Sequence, residues 1–346
     1  MTKIIQVEND LSVLDEAAEA LSAGQLVAFP TETVYGLGAS ALDEAAVGHI
    51  FEAKGRPQDN PLIVHVSNRD MLNSVVKSVP AAAAQLMETF WPGPLTIILE
   101  KSDLISHTVT AGLETVAVRM PNHPAALHLI EKSGVPVAAP SANLSGSPST
   151  TRASHVIADL SGRVDYIIDG GACLVGLEST VLDMTGEVPQ ILRPGGVSLE
   201  ALQMVLGEVR YEPALQDAEK TPKSPGMKYR HYAPKAELLL VDAGEEKRIE
   251  EFLNEAKEKG NKTGVLCCTR HPYDAEYVVP CGTDAAAYAH SLFDALRQMD
   301  DWGVELIIAE LPADSGGIVP ALKNRMLKAA GGRVVSDVVE TRAERI

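Results

Sequence analysis

The stretch Lys54-Gly55-Arg56-Pro57-Gln58-Asp59-Asn60 runs straight into Pro61-Leu62-Ile63-Val64-His65-Val66. It reads as a helix end, a polar turn and a buried strand. Upstream, residues 43–53 carry Val47, Ile50 and Phe51 at helical spacing, with Asp43 placed as the N-cap. Helix, turn and strand in succession are the unit of an α/β fold. The turn is basic, so Lys54 and Arg56 can meet phosphate. Basic residues at a helix C-terminus also complement its dipole, which is the plainer role for them.

A second polar turn, Pro140-Ser141-Ala142-Asn143, lies about ninety residues further on, after the strand Pro136–Ala139. Ser141 and Asn143 are short hydrogen-bonding groups suited to a nucleotide or an acyl group. Two such loops, so far apart in the chain, imply a site assembled by folding.

Outward from these loops the same alternation continues. Residues 3–7 read as a strand, and Leu11, Leu14, Ala17, Ala18 and Leu21 as a helix stopped by Gly24. Leu26–Phe29 is a buried strand, broken by Pro30, with Thr31, Glu32, Thr33 and Tyr35 on the turn that follows. Gly36-Leu37-Gly38-Ala39-Ser40-Ala41 formally matches GxGxxA. A dinucleotide fingerprint needs an unbroken strand leading directly into a helix, and the turn after Pro30 intervenes, so a nicotinamide site is disfavoured.

A helix carrying Leu86, Met87 and Phe90 precedes the strand 95–100, and 104–112 reads as a loop. The next strand holds Arg119 between Val118 and Met120, where a charge must find a partner or a cleft. Residues 141–151 are a Ser/Thr-rich loop without the Gly-Lys-Ser/Thr of a P-loop. Strands over 165–171 and 179–184 follow, then Arg193 at a strand end and a helix at 198–206. His65 stands alone in an apolar strand, where a histidine is more often a satisfied core residue than a ligand.

Residues 207–235 lose periodicity and read as a linker. Its end is aromatic and basic, Lys228-Tyr229-Arg230-His231-Tyr232, which suits a segment that folds back over a site. From 236 onward strands alternate with helices again, as in a small open α/β sheet. The division expected is 1–206, a linker at 207–235, and 236–346.

Composition excludes several functions. The net charge of −17 opposes general binding to nucleic acid or anionic membrane. No apolar run is long enough to span a bilayer, and nothing at the N-terminus resembles a signal peptide. The four cysteines lack metal-site spacing and suit free thiols in a reducing, cytoplasmic setting. Thr33, Lys54, Arg56, Asn60, His65, Arg119, Ser141, Asn143, Ser179 and Arg193 all fall in or beside strand-end loops. Cations mixed with hydroxyls and amides suit an anionic substrate. No Ser-His-Asp or Cys-His pairing and no carboxylate cluster for a protein-held metal is evident. A nucleotide carrying its own Mg²⁺ fits better than a hydrolase.

Taken together, KGRPQDNPLIVHV, PGPLTIIL, VAVRMPNH, APSANLSG, GLESTVLD, ILRPG and SPGMKYRHYAP resemble the YrdC-like family of threonylcarbamoyl-AMP synthases, in its long two-domain form. The resemblance implies a twisted open α/β domain with a basic cavity, joined to a smaller Rossmann-like α/β domain. It implies that L-threonine, bicarbonate or CO₂, and ATP give L-threonylcarbamoyl-adenylate and pyrophosphate. A separate threonylcarbamoyl transferase complex would then modify tRNA.

By motif, the family's paired basic and polar positions fall on Lys54, Arg56, Ser141 and Asn143. Arg56, Asn60, Thr115, Ser141, Asn143, Ser149 and Arg193 would lie near ATP. Thr33, His65, Arg119, Ala139 and Ser179 would surround threonine, Ala139 through its main chain alone. His231 and Tyr232 would close over the nucleotide. A weak direct contact with tRNA is a further expectation. Two rivals are a non-catalytic RNA-binding module and carbamoyl transfer in hydrogenase maturation. The acidic charge opposes the first, and the missing Cys-rich spacing opposes the second.

Overall fold

The computed structural model describes residues 1–212, 231–268, 271–313 and 315–335. The described residues of Met1–Ser145 and Ser149–Tyr229 form one compact unit, and those of Gly146–Pro148 and Arg230–Ile346 a second.

In the first unit, eleven strands among the described residues make one mixed sheet. They are β1 (Lys3–Gln6), β2 (Val27–Phe29), β3 (Gly36–Ser40), β4 (Ile63–His65), β5 (Leu95–Glu100) and β6 (Thr115–Arg119). Then come β7 (Val137–Ala139), β8 (Tyr166–Asp169), β9 (Thr180–Asp183), β10 (Gln190–Arg193) and β11 (Arg210–Tyr211). Their spatial order is β1-β8-β2-β3-β7-β4-β6-β5-β9-β10-β11. β4 and β6 run parallel, while β7 lies antiparallel to both β3 and β4.

The glycine-rich Gly36–Ser40 stretch is a strand antiparallel to β2, so its glycines lie within the strand and the turn into the next helix comes only after Ser40. Its glycines serve packing. A Cβ on Gly38 would lie 2.7 Å from Val137 Cγ1 and 2.8 Å from Phe29 Cε1. The helix before the basic turn is Glu44–Lys54, capped by Asp43, whose carboxylate accepts from Ala45 N and Ala46 N. Residues 107–110, within the expected loop, form one helical turn. A helix at Arg69–Val75, which the sequence reading passed over, is capped by Asn68.

β11 adds to the sheet edge beside β10. The sheet therefore continues past residue 206, into the stretch read as a linker; residues 213–230 of that stretch lie outside the described residues.

The register sets up two different faces. Side chains alternate along a strand, and directly paired residues share a face. One face of the central strands sends Val64, Ile97, Leu99, Val116, Val118, Ala138 and Leu182 into the main core. The other carries a small separate cluster of Ile63, Ile98, Ala117, Val181 and Leu192. That second face also carries the polar residues described below.

The second unit has a five-stranded parallel sheet among the described residues. Its strands are β12 (Glu237–Val241), β13 (Thr263–Cys267), β14 (Tyr277–Pro280), β15 (Leu306–Glu310) and β16 (Val334–Val335), in the order β14-β13-β15-β12-β16. Helices Glu246–Glu258, Ala285–Asp301 and Val319–Ala329 connect them. This is the expected small open α/β sheet. Cys173, Cys267, Cys268 and Cys281 are all free thiols. No described helix is long and apolar enough to cross a membrane.

Candidate active site

His65 pairs with Arg119 across β4 and β6, and Ile63 pairs with Ala117 on one side and Ala139 on the other. Thr115, Ala117 and Arg119 share a face by their spacing of two. His65, Thr115, Arg119 and Ala139 therefore project from one face, around the Ile63, Ala117 and Ile98 floor. The strand register brings together residues from four separate stretches of sequence.

Arg119 is 4% exposed, and its charge is met locally. Nη1 donates to Thr33 Oγ1 at 3.0 Å and Nε to the Gly93 carbonyl at 3.2 Å. Nη2 lies 2.7 Å from Glu32 Oε2 as an ion pair. Thr33 and Glu32 come from the turn after Pro30. There, Thr31 Oγ1 accepts from Thr33 N and Val34 N and donates to the Val34 carbonyl. That small hydroxyl turn fixes where Glu32 and Thr33 stand.

His65 is 4% exposed, with its ring edge-on to Phe29 at 6.0 Å. Burial, and secondarily the Arg119 charge, pushes its pKa down to about 3. The ring is neutral at physiological pH, and its Nδ1 has no hydrogen-bond partner. His65 is thus buried as a core histidine would be, yet left with an open acceptor or donor.

Ser179, just before β9, is fully buried. Its Oγ is 2.8 Å from Thr96 Oγ1, either hydroxyl being able to donate. Arg193 Nε and Nη2 donate to the Ser179 carbonyl at 3.1 and 3.0 Å, and Nη2 also to Ser179 Oγ at 3.1 Å. Ser149 Oγ donates to Glu178 Oε1 at 2.5 Å. The residues read separately as nucleotide-facing and threonine-facing are thus wired to each other at 178–179.

The two opening loops also meet. Lys54 is buried, and its Nζ donates to the main-chain carbonyls of Ser141 and Asn143. Ser141 Oγ donates to Asn143 Oδ1 at 2.5 Å, and Asn143 Nδ2 to the Leu144 carbonyl at 2.7 Å. Arg56 is half-buried, 5.8 Å over the Phe51 ring, with Nη2 donating to the Asn60 carbonyl at 3.1 Å. Asn60 is buried, and both its amide atoms lack hydrogen-bond partners.

His231 and Tyr232 belong to the second unit, with ring centroids 5.7 Å apart. There Tyr232 packs 5.3 Å from Phe293, and Arg325 lies 5.6 Å over its ring.

Sequence reasoning passed over Thr96, Glu178 and the role of Glu32. A carboxylate between two threonines directly after a strand-breaking proline was the available signal for Glu32. Among the described residues no group of three or more His, Cys, Asp or Glu side chains is placed to hold a metal ion.

Residues 19–195 match the Sua5/YciO/YrdC family model, described as telomere recombination, and 197–331 match the threonylcarbamoyl-AMP synthase C-terminal domain. A threonylcarbamoyl-AMP synthase of Pyrococcus abyssi is 49% identical, over 97% of this chain and 99% of that protein. One from Bacillus subtilis is also 49% identical, over 96% of this chain and 98% of that protein. The crystal structure of P. abyssi Sua5 complexed with L-threonine superposes with a TM-score of 0.92 at 48% identity, covering 97% of this chain and 99% of that one.

Proposed function

Since the chain belongs to the threonylcarbamoyl-AMP synthase family, in its two-domain form, we propose that it makes L-threonylcarbamoyl-adenylate. The substrates are L-threonine, bicarbonate or CO₂, and ATP, and pyrophosphate leaves. The observation that carries the reading is full-length similarity combined with one polar face holding Thr33, His65, Arg119 and Ser179.

On this reading the reaction is a nucleotidyl transfer. The threonine amine captures CO₂ as a carbamate, and a carbamate oxygen attacks the α-phosphorus of ATP. Arg119 holds the threonine carboxylate through a charge-assisted contact. Neutral His65, Thr33, Ser179 and the Ala139 main chain surround the rest of the amino acid. Arg56, Asn60, Thr115, Ser141, Asn143, Ser149 and Arg193 face the nucleotide. Lys54 orders the 141–143 loop and, with Arg56, offsets charge on the phosphates. Mg²⁺ arrives with ATP as part of that substrate. By the family resemblance His231 and Tyr232 are also assigned to binding the nucleotide. On this reading the product passes to a threonylcarbamoyl transferase complex for modification of tRNA, and the protein works in the cytoplasm.

The test is pyrophosphate release by the purified protein, omitting threonine and bicarbonate in turn, with the nucleotide product weighed by mass spectrometry. Release that needs both, with a threonylcarbamoyl-adenylate mass, is expected. ATP binding without pyrophosphate under any combination would overturn the reading.

A further inference from the structure

Glu32 has no place in the roles given so far, and its surroundings are unusual. The residue is 4% exposed. Its backbone is fixed, since the carbonyl accepts from Val175 N at 2.7 Å and the turn is tied by Thr31. Neither carboxylate oxygen has a hydrogen-bond partner. Arg119 is its ion-pair partner among the described residues, and the 2.7 Å approach of Nη2 is off the line of an N–H bond. A carboxylate can accept about four hydrogen bonds, and burial without donors aimed at its oxygens is unfavourable even where a charge lies beside it.

The neighbours do not fill it. Burial holds the Cys173 thiol neutral, pushed up to about 12, with the Glu32 charge adding to the rise. His123 is shifted down by burial, so its ring is disposed to stay uncharged beside Glu32. Thr33 Oγ1, the adjacent hydroxyl, is already engaged by Arg119. Arg119 offsets its charge, and what the carboxylate still lacks is an N–H directed at its oxygens.

An α-amino acid carries a carboxylate and an ammonium on one carbon. A guanidinium and a carboxylate held 2.7 Å apart present the opposite charges at matching separation. Arg119 can accept a second anion, because a guanidinium has five donors in a fixed fork. We infer that Glu32 is a further binding residue for the substrate, accepting the α-amino group of threonine while Arg119 holds its carboxylate. This rests on the reading of the site as a threonine site. It makes Glu32 the group that selects α-amino acids over α-hydroxy acids and aims the nitrogen at its carboxylation.

Glu32→Gln keeps the shape and removes the charge. Isothermal titration of the full-length protein with L-threonine, and with its α-hydroxy analogue dihydroxybutyrate, separates the possible roles. Threonine binding is expected to weaken about 10- to 100-fold, the worth of a buried charged hydrogen bond, with dihydroxybutyrate unchanged. Equal weakening of both ligands would mean that Glu32 only props Arg119, and would overturn the inference. So would unchanged affinity for both, which leaves the threonine site itself standing. If the unaltered protein binds no threonine, with or without ATP, the functional reading fails and the inference falls with it. Should thermal melting show that Glu32→Gln does not fold, Glu32→Asp retains the charge one methylene short. It should likewise weaken threonine alone, and an unmoved affinity would count against the inference.

Discussion

Lys54 Nζ donates to the carbonyl oxygen of Ser141, 87 positions away in sequence. The basic side chain at the end of the 44–54 helix is therefore directed to the 141–143 loop rather than to its own helix end. A dipole role alone would leave it exposed at the C-terminus, and instead it is buried.

Lys54→Met tests that link. The variant removes the donor from two carbonyls in a buried setting, which costs about 1–3 kcal/mol of stability. Pyrophosphate release from ATP, threonine and bicarbonate should fall at least about 100-fold, the scale of losing a fixed electrostatic contact. A near-normal rate in a folded Lys54→Met protein would remove Lys54 from the chemistry.

Arg193 tests the connection between the two groups of site residues. Three of its hydrogen bonds go to Ser179, two of them to one carbonyl. Lysine has a single nitrogen and cannot reproduce that fork. Arg193→Lys should raise the KM for threonine as well as for ATP, with a loss of about 1–3 kcal/mol in kcat/KM. A change confined to ATP would show that Ser179 holds its place without Arg193.

Much of this arrangement was legible in the sequence, for identifiable reasons. A charge inside an apolar strand demanded a partner, which marked Arg119. The small second sheet followed from plain alternation of strand and helix. The strand at Gly36–Ser40 was not legible, because two of its five residues are glycines with no side-chain pattern to read. β11 is only two residues long, too short for any period, so its stretch read as linker. Glu178, Thr96 and the role of Glu32 escaped because their meaning lies in who stands opposite. Strand register supplies that, and a single sequence does not print it.

Gly195 offers a steric test. A Cβ there would stand 2.2 Å from Thr180 N and 2.3 Å from Ser179 C, both main-chain atoms that cannot swing away. Gly195→Ala must push the 193–196 turn off the 178–180 segment. Overpacking of this kind costs about 1–3 kcal/mol, so thermal melting should fall by several degrees. Threonine affinity should fall with it, because Ser179 moves. Alanine accommodated at full stability and affinity would mean that the two segments are not in register contact in solution.

His65 gives a pH dependence whose sign is fixed by its burial. Its pKa in the fold is about 3, against 6.5 for an ordinary histidine. As the pH falls below 6.5, the unfolded chain takes up a proton at this position and the native protein does not. The contribution of His65 to stability is therefore fully present above about pH 6.5, declines through the acid range, and stops changing near about pH 3. By about pH 5 the loss should be roughly 2 kcal/mol. Other groups titrate in the same range, so the informative quantity is a difference. Urea unfolding of the unaltered protein and of His65→Gln should diverge between about pH 7 and pH 5, with the variant losing less. Parallel curves would show that His65 gains water or a partner in the native state and titrates as it does in the open chain.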